Sequence, residues 1–121
     1  MAADITESIS HSVWNAWGDP AQAHPLGENA LAYLQAELGL DSIAATHPPV
    51  ELSEVHPSPS ALSDATALAL RAIVGDVNVA TDDLARIVHA GGKSTSDLLR
   101  RRRGDVAGAP DAVVLPGSNE E

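Results

Sequence analysis

The run Ala112-Val113-Val114-Leu115, bounded by Pro110 and Pro116, constrains this chain more than any other stretch. A short apolar run rich in β-branched residues and closed off by prolines reads as a buried strand. A buried parallel strand needs neighbours, and the sequence offers no strong second strand to pair with it. Pro116-Gly117 is turn chemistry, and Ser118-Asn119-Glu120-Glu121 is an S-x-x-E capping box, the pattern that opens a helix. The combination predicts the front end of a longer α/β protein, cut just after the first strand of its next domain. The plainer alternative is a frayed tail in which Ser and Glu fall at that spacing by chance.

Upstream the pattern is helical. Glu28 to Leu38 carries Leu31, Leu34 and Leu38 at helical spacing, with Gly39 placed to end it. Asp64 to Val74 has Ser63 as N-cap and Gly75 as terminator, and is apolar around much of its circumference, which predicts partners on more than one side. A third helix is expected after Asp76-Val77-Asn78-Val79, capped by Thr81, with Asp82 and Asp83 in its first turn. Leu84, Ile87 and Val88 form its buried stripe, and Gly91-Gly92 stop it. A fourth spans Thr95 to Arg103, with Leu98 and Leu99 inward. Residues 1–12 read as a disordered leader, 13–108 as a helical region, and 109–121 as the start of a truncated domain. Residues 41–59, with Pro48, Pro49, Pro57 and Pro59, read as an extended, linker-like stretch in which Val50, Leu52 and Val55 hint at a short strand laid over another surface.

Composition limits what can fill the core. With 121 residues there is room for one domain, and the only aromatics are Trp14, Trp17 and Tyr33. The core must be Leu, Val, Ile and Ala, so stability should be modest, and both indoles should pack on something. A net charge of −10 argues against a nucleic-acid partner. The absence of cysteine excludes disulfides, thiolate metal sites and a thiol nucleophile. No run approaches the ~20 apolar residues of a membrane span. No signal peptide is visible, and a cytoplasmic location is expected.

Motifs that might carry chemistry are few. Gly92-Lys93-Ser94 resembles the tail of a phosphate-binding loop, but Ile87 stands where the first glycine belongs, and a helix precedes it in place of a strand. A helix stop followed by a capping serine explains these residues better. Arg100 to Arg103 could meet phosphates or an anionic membrane, but cations in the last turn of a helix complement its dipole, and that reading is preferred. His11, His24, His47, His56 and His89 show no ligand spacing, and only His89, near a helix end, stands apart. The sequence therefore assigns no catalytic, cofactor-binding or metal-binding residue.

Four blocks carry a resemblance: Trp14-Asn15-Ala16-Trp17-Gly18-Asp19-Pro20, His89-Ala90-Gly91-Gly92-Lys93-Ser94, Asp97-Leu98-Leu99-Arg100-Arg101, and Ala109 through Gly117. In this order the chain resembles the N-terminal part of FAD-binding oxidases related to alkyldihydroxyacetonephosphate synthase (alkylglycerone-phosphate synthase), in their actinobacterial form, from about Trp14 to Glu121. The resemblance implies a mainly α region with one or two short strands, leading into an α+β FAD-binding domain of the vanillyl-alcohol-oxidase type, and FAD in the full-length parent. It implies chemistry either of an FAD-dependent oxidoreductase or of a synthase that exchanges an acyl chain for a fatty alcohol in making ether lipids. The family's flavin-gripping loop and catalytic residues match nothing here, so this span is expected to bind no FAD and to be inactive alone. Its expected partner is the remainder of the parent flavoenzyme, with homo-oligomerisation of the parent left open. The alternative is a free-standing, small, acidic helical interaction module.

Overall fold

The computed structural model describes residues 13–42 and 47–121. The expected leader 1–12 lies outside the described residues, as do residues 43–46 of the expected linker. Helix α1 is Glu28–Leu38, α2 is Asp64–Val74, α3 is Asp83–Val88 and α4 is Thr95–Arg102; strands β1, Val79–Ala80, and β2, Val113–Val114, form the one sheet among the described residues. The fold is thus a mainly helical small domain with two short strands.

Local chemistry sets most of the boundaries. The Ser63 side chain accepts from the Thr66 amide and starts α2; the Ser94 side chain accepts from the Asp97 amide and starts α4. The cap of α3 is Asp82, which accepts from the Ala85 amide, and not Thr81 as the sequence suggested. Asp and Thr both cap well, and the carboxylate stands one residue nearer the donors it must reach. Gly39 ends α1 with φ 62°, and Gly75 ends α2 with φ 88° and ψ 151°, a conformation open essentially to glycine alone.

The strand at the C-terminal end is not an orphan. Val114 pairs antiparallel with Val79 and Val113 with Ala80, and the Leu115 amide donates to the Asn78 carbonyl at 2.9 Å. Val79-Ala80 escapes the sequence reading because two residues are too few to show a period. An isolated two-stranded ribbon is marginal in water; here α2 lies beside β1, and Val79 and Val113 are both buried. Residues 109–111 are also bound to the helical region: Ser60 Oγ donates to the Asp111 carbonyl and the Ala61 amide to Asp111 Oδ1. The expected capping box does not form and no helix opens there: Glu121 Oε2 accepts from the Gly117 amide at 2.7 Å, one residue before the Ser118 amide that a box would use.

The strand expected in the linker-like stretch is corrected in the same way. Residues 47–59 lie over the core, with Val55 buried and the Val50 amide donating to the Arg102 carbonyl. The hinted strand is instead a 3-10 turn, Leu52–Glu54. Prolines give this stretch an extended path with few donors to satisfy, which suits a segment draped over apolar surface. The core it covers is Val55, Ile87 and Val106, with Trp14, Val50, Leu52 and Ala90 packed around it. Each such aliphatic contributes about 1.5–3 kcal/mol when fully buried, and among the described residues no large side chain is completely enclosed.

Several expected inward residues face out. Leu84 and Leu99 are exposed, while Ala85 and Ile87 carry the buried face of α3 and Leu98 that of α4. Trp14 packs on the core, whereas Trp17 is 62 % exposed. Helix α1 has no buried residue, and α2 buries Ala67 and Val74 while Leu68 and Ile73 stay exposed. Helix α2 thus finds a partner on one side only within the described residues.

Candidate functional site

Two buried arginines organise the domain; the sequence reading passed over Arg86 and took Arg101, within the four-arginine run, for a residue of the exposed helix end. Arg86 is 4 % exposed; its Nε donates to the Pro110 carbonyl and its Nη2 to the Ser58 carbonyl, both at 2.7 Å, with Asp83 3.5 Å from Nη1. One side chain therefore ties α3 to the proline-rich stretch and to the segment that enters β2. Arg101, 2 % exposed, donates from Nη1 to the Trp14 carbonyl at 2.8 Å and from Nη2 to the carbonyls of Val88 and Gly91. Burial pulls its guanidinium below the ordinary arginine pKa, with Asp97 acting in the opposite sense. Arginine stays charged even so, and the carbonyl dipoles replace part of the water it has lost, the buried Nε having no partner among the described residues.

Lys93 completes this clamp. Its Nζ donates to the carbonyls of Val13 and Ala16, at 3.0 and 3.1 Å, while its own carbonyl accepts from Trp17 Nε1 at 2.7 Å. The tryptophan segment is thus held at three carbonyls and one indole. The four-arginine run divides its labour accordingly. Arg101 is interior, and Arg100 bonds Asp105 at 2.9 Å on the surface. That bond, followed by the Ala107 amide, holds the Asp105 carboxyl below the usual carboxylate range, and the same pair raises the Arg100 guanidinium. Arg102 and Arg103 have no side-chain partner among the described residues. One clue to Arg101 was present: it lies three residues after Leu98, on the same helical face.

The phosphate-loop resemblance finds no support in the geometry. Lys93 is turned onto the tryptophan segment, Ser94 Oγ donates to Asp97 Oδ2 at 2.8 Å, and that carboxylate oxygen sits 3.0 Å from where a Cβ on Gly92 would lie. An acidic oxygen occupies the place an anion would need. The same geometry leaves the residues of this turn unfit for the FAD pyrophosphate. His89 Nδ1 lies 2.7 Å from the Ala85 carbonyl in its own helix. Among the described residues no group of three or more His, Cys, Asp or Glu is placed to hold a metal, and no helix is long and apolar enough to cross a membrane.

What the clamp does create is a groove. Between the tryptophan segment and α4 lies a mainly apolar recess of about 150 Å³, floored by Ala16, Trp17, Leu98 and Leu99 and edged by Arg102. It offers no nucleophile, acid or base in a reactive arrangement.

No family model matches the chain. Protein Rv2250A of Mycobacterium tuberculosis (strain ATCC 25618 / H37Rv) is 48 % identical over 104 residues, which are 86 % of this chain and 68 % of that protein. Alkyldihydroxyacetonephosphate synthase of Dictyostelium discoideum is 31 % identical over 132 residues, covering 89 % of this chain and 22 % of the enzyme. The chain belongs to the Rv2250A family and is homologous to a segment of alkyldihydroxyacetonephosphate synthase. Solved structures of alkyldihydroxyacetonephosphate synthase agree in fold. The one in P1 matches with TM-score 0.70 and 29 % identity over 93 % of this chain and 25 % of that one. The one in P212121 gives 0.75 and 27 %, over 94 % of this chain and 26 % of that one. The chain therefore spans about a quarter of the length of the synthases it matches.

Proposed function

We propose that this domain is the N-terminal docking segment of a flavoenzyme of the alkyldihydroxyacetonephosphate synthase type, packing against the FAD-binding domain and supplying no catalytic side chain itself. The observation that carries this reading is the structural likeness: nearly the whole of this chain corresponds to about a quarter of the synthase. The bare apolar faces agree with it. Tyr33, Leu38, Leu68 and Ile73 are each more than half exposed, on α1 and α2, and such surface calls for a partner. The flavin and the reacting groups then belong to the remainder of the enzyme, whose reaction is either alkyl-for-acyl exchange or an FAD-dependent oxidation. On this reading Val113–Val114 leads into the FAD-binding domain. The compartment is cytoplasmic.

The test is to co-express the tagged chain with the synthase-type flavoprotein of its own organism. A yellow complex of fixed stoichiometry, retained through gel filtration, is the expected result. A chain that elutes alone, as a monomer with a sharp cooperative unfolding transition, contradicts it.

One observation favours a second reading. The matched region makes up 68 % of Rv2250A, so a relative only about half as long again as this region exists as a protein in its own right. That supports a separately made subunit, or a free-standing acidic interaction module. The same purification separates the two, since only the subunit brings flavin with it.

A further inference from the structure

We infer that the groove between the tryptophan segment and α4 is a peptide-docking site that takes one apolar anchor side chain flanked by a carboxylate. This inference does not depend on the flavoenzyme reading. Its floor is apolar, with Leu99 52 % and Trp17 62 % exposed, and the Trp17 N–H is already spent on the Lys93 carbonyl, so the indole offers carbon surface without an unmet donor. Its edge is Arg102, whose guanidinium has no hydrogen-bond or ion-pair partner among the described residues.

Charge and volume choose the occupant. The chain carries −10 overall, yet five of its seven basic residues are Lys93 and Arg100 to Arg103. Three of those five are committed internally, Lys93 and Arg101 to carbonyls and Arg100 to Asp105. Arg102 is left at the groove, where a bidentate carboxylate is the group its planar fork fits best. A recess of about 150 Å³ holds a benzene-sized body. That is the size of one Leu or Phe side chain and far short of a lipid chain. An anionic membrane is further disfavoured by the acidity of the rest of the surface. An anchor in a pocket beside a charged rim is also how interface hot spots are built.

The test uses the full chain and a random heptapeptide library displayed on phage, with Trp17 fluorescence as a second readout. Selection should enrich peptides in which Leu, Phe or another large apolar residue stands within two positions of Asp or Glu. Synthetic versions should shift Trp17 emission to the blue. Arg102→Gln should weaken them about tenfold or more, Leu99→Asp should abolish binding, and Arg103→Gln, outside the groove, should bind as the parent does. Far-UV circular dichroism of each variant separates lost binding from lost folding. Failure to enrich any family of binders overturns the inference. So do binders without an acidic residue, affinity unchanged by Arg102→Gln, or Arg102-dependent binding to phosphatidylglycerol vesicles in preference to peptide.

Discussion

Replacing Arg101 with Met removes the charged donors of the clamp while keeping most of the side-chain length. Three main-chain acceptors, at Trp14, Val88 and Gly91, then lose their partner. Hydrogen bonds to a charged group are worth about 1.5–3 kcal/mol each, but the sum overstates the loss. The guanidinium has itself been stripped of water at a cost of several kcal/mol, and the exposed Gly91 lets solvent reach its carbonyl once the loop relaxes. The expected net destabilisation is about 2–4 kcal/mol, from a total of about 5–15 kcal/mol for a folded domain. Urea unfolding followed by tryptophan fluorescence measures it. With a slope of about 2 kcal/mol per molar, the middle of the range for small domains, the midpoint should fall by about 1–2 M. Trp14 emission should also move to the red in the native baseline, because its own carbonyl is a ligand of Arg101 while its ring lies on the core. Arg103→Met, at an exposed position, should stay within about 0.5 kcal/mol of the parent. Equal midpoints for the Arg101 and Arg103 variants would refute the view that the fold hangs on the interior arginine.

Three further outcomes follow from local geometry. Gly108→Ala would place a Cβ 2.8 Å from the Ala90 carbonyl oxygen, so it should cost about 1–3 kcal/mol in the same urea assay. Gly75→Ala meets only Asn78 Nδ2, at an ordinary contact distance of 3.7 Å, but a φ of 88°, and should cost about 1–3 kcal/mol through backbone strain. The Asp105 carboxyl is held low by Arg100, so its stabilising contribution is complete above about pH 4, the ordinary carboxylate range. It is lost as pH falls through the depressed folded value. Asp105→Asn should therefore be slightly less stable than the parent at pH 7 and converge with it in strong acid, as read by thermal melts across the pH range.

The helices were legible because their chemistry is local. Ser63, Ser94, Gly39 and Gly75 act on neighbours within a few residues, and a linear pattern records that. The partner of Val113–Val114 was not legible, since Val79–Ala80 is two residues long and its pairing crosses more than thirty positions. The proline-rich stretch was legible only in part for a related reason: Val50, Leu52 and Val55 pointed to a covered surface, but the strand expected there is a 3-10 turn. Proline reports an extended backbone but not what that backbone lies against, and Val55 turned out to be interior. The interior arginines were hidden for a third reason. Charge patterning places arginine on a surface by default, and only the carbonyls of Trp14, Ser58, Val88, Gly91 and Pro110, distant in sequence, make burial affordable. The groove follows from that clamp, so it was invisible until the tryptophan segment could be placed against α4.

The claim that this domain docks on a larger flavoprotein is tested most directly by hydrogen–deuterium exchange over α1. This helix has no buried residue in the chain by itself, so its amides should exchange freely in the isolated domain. In the complex purified with the flavoprotein, the amides from Glu28 to Leu38 should become protected along with the exposed face of α2. Exchange over both helices that is the same with and without the flavoprotein would contradict the account.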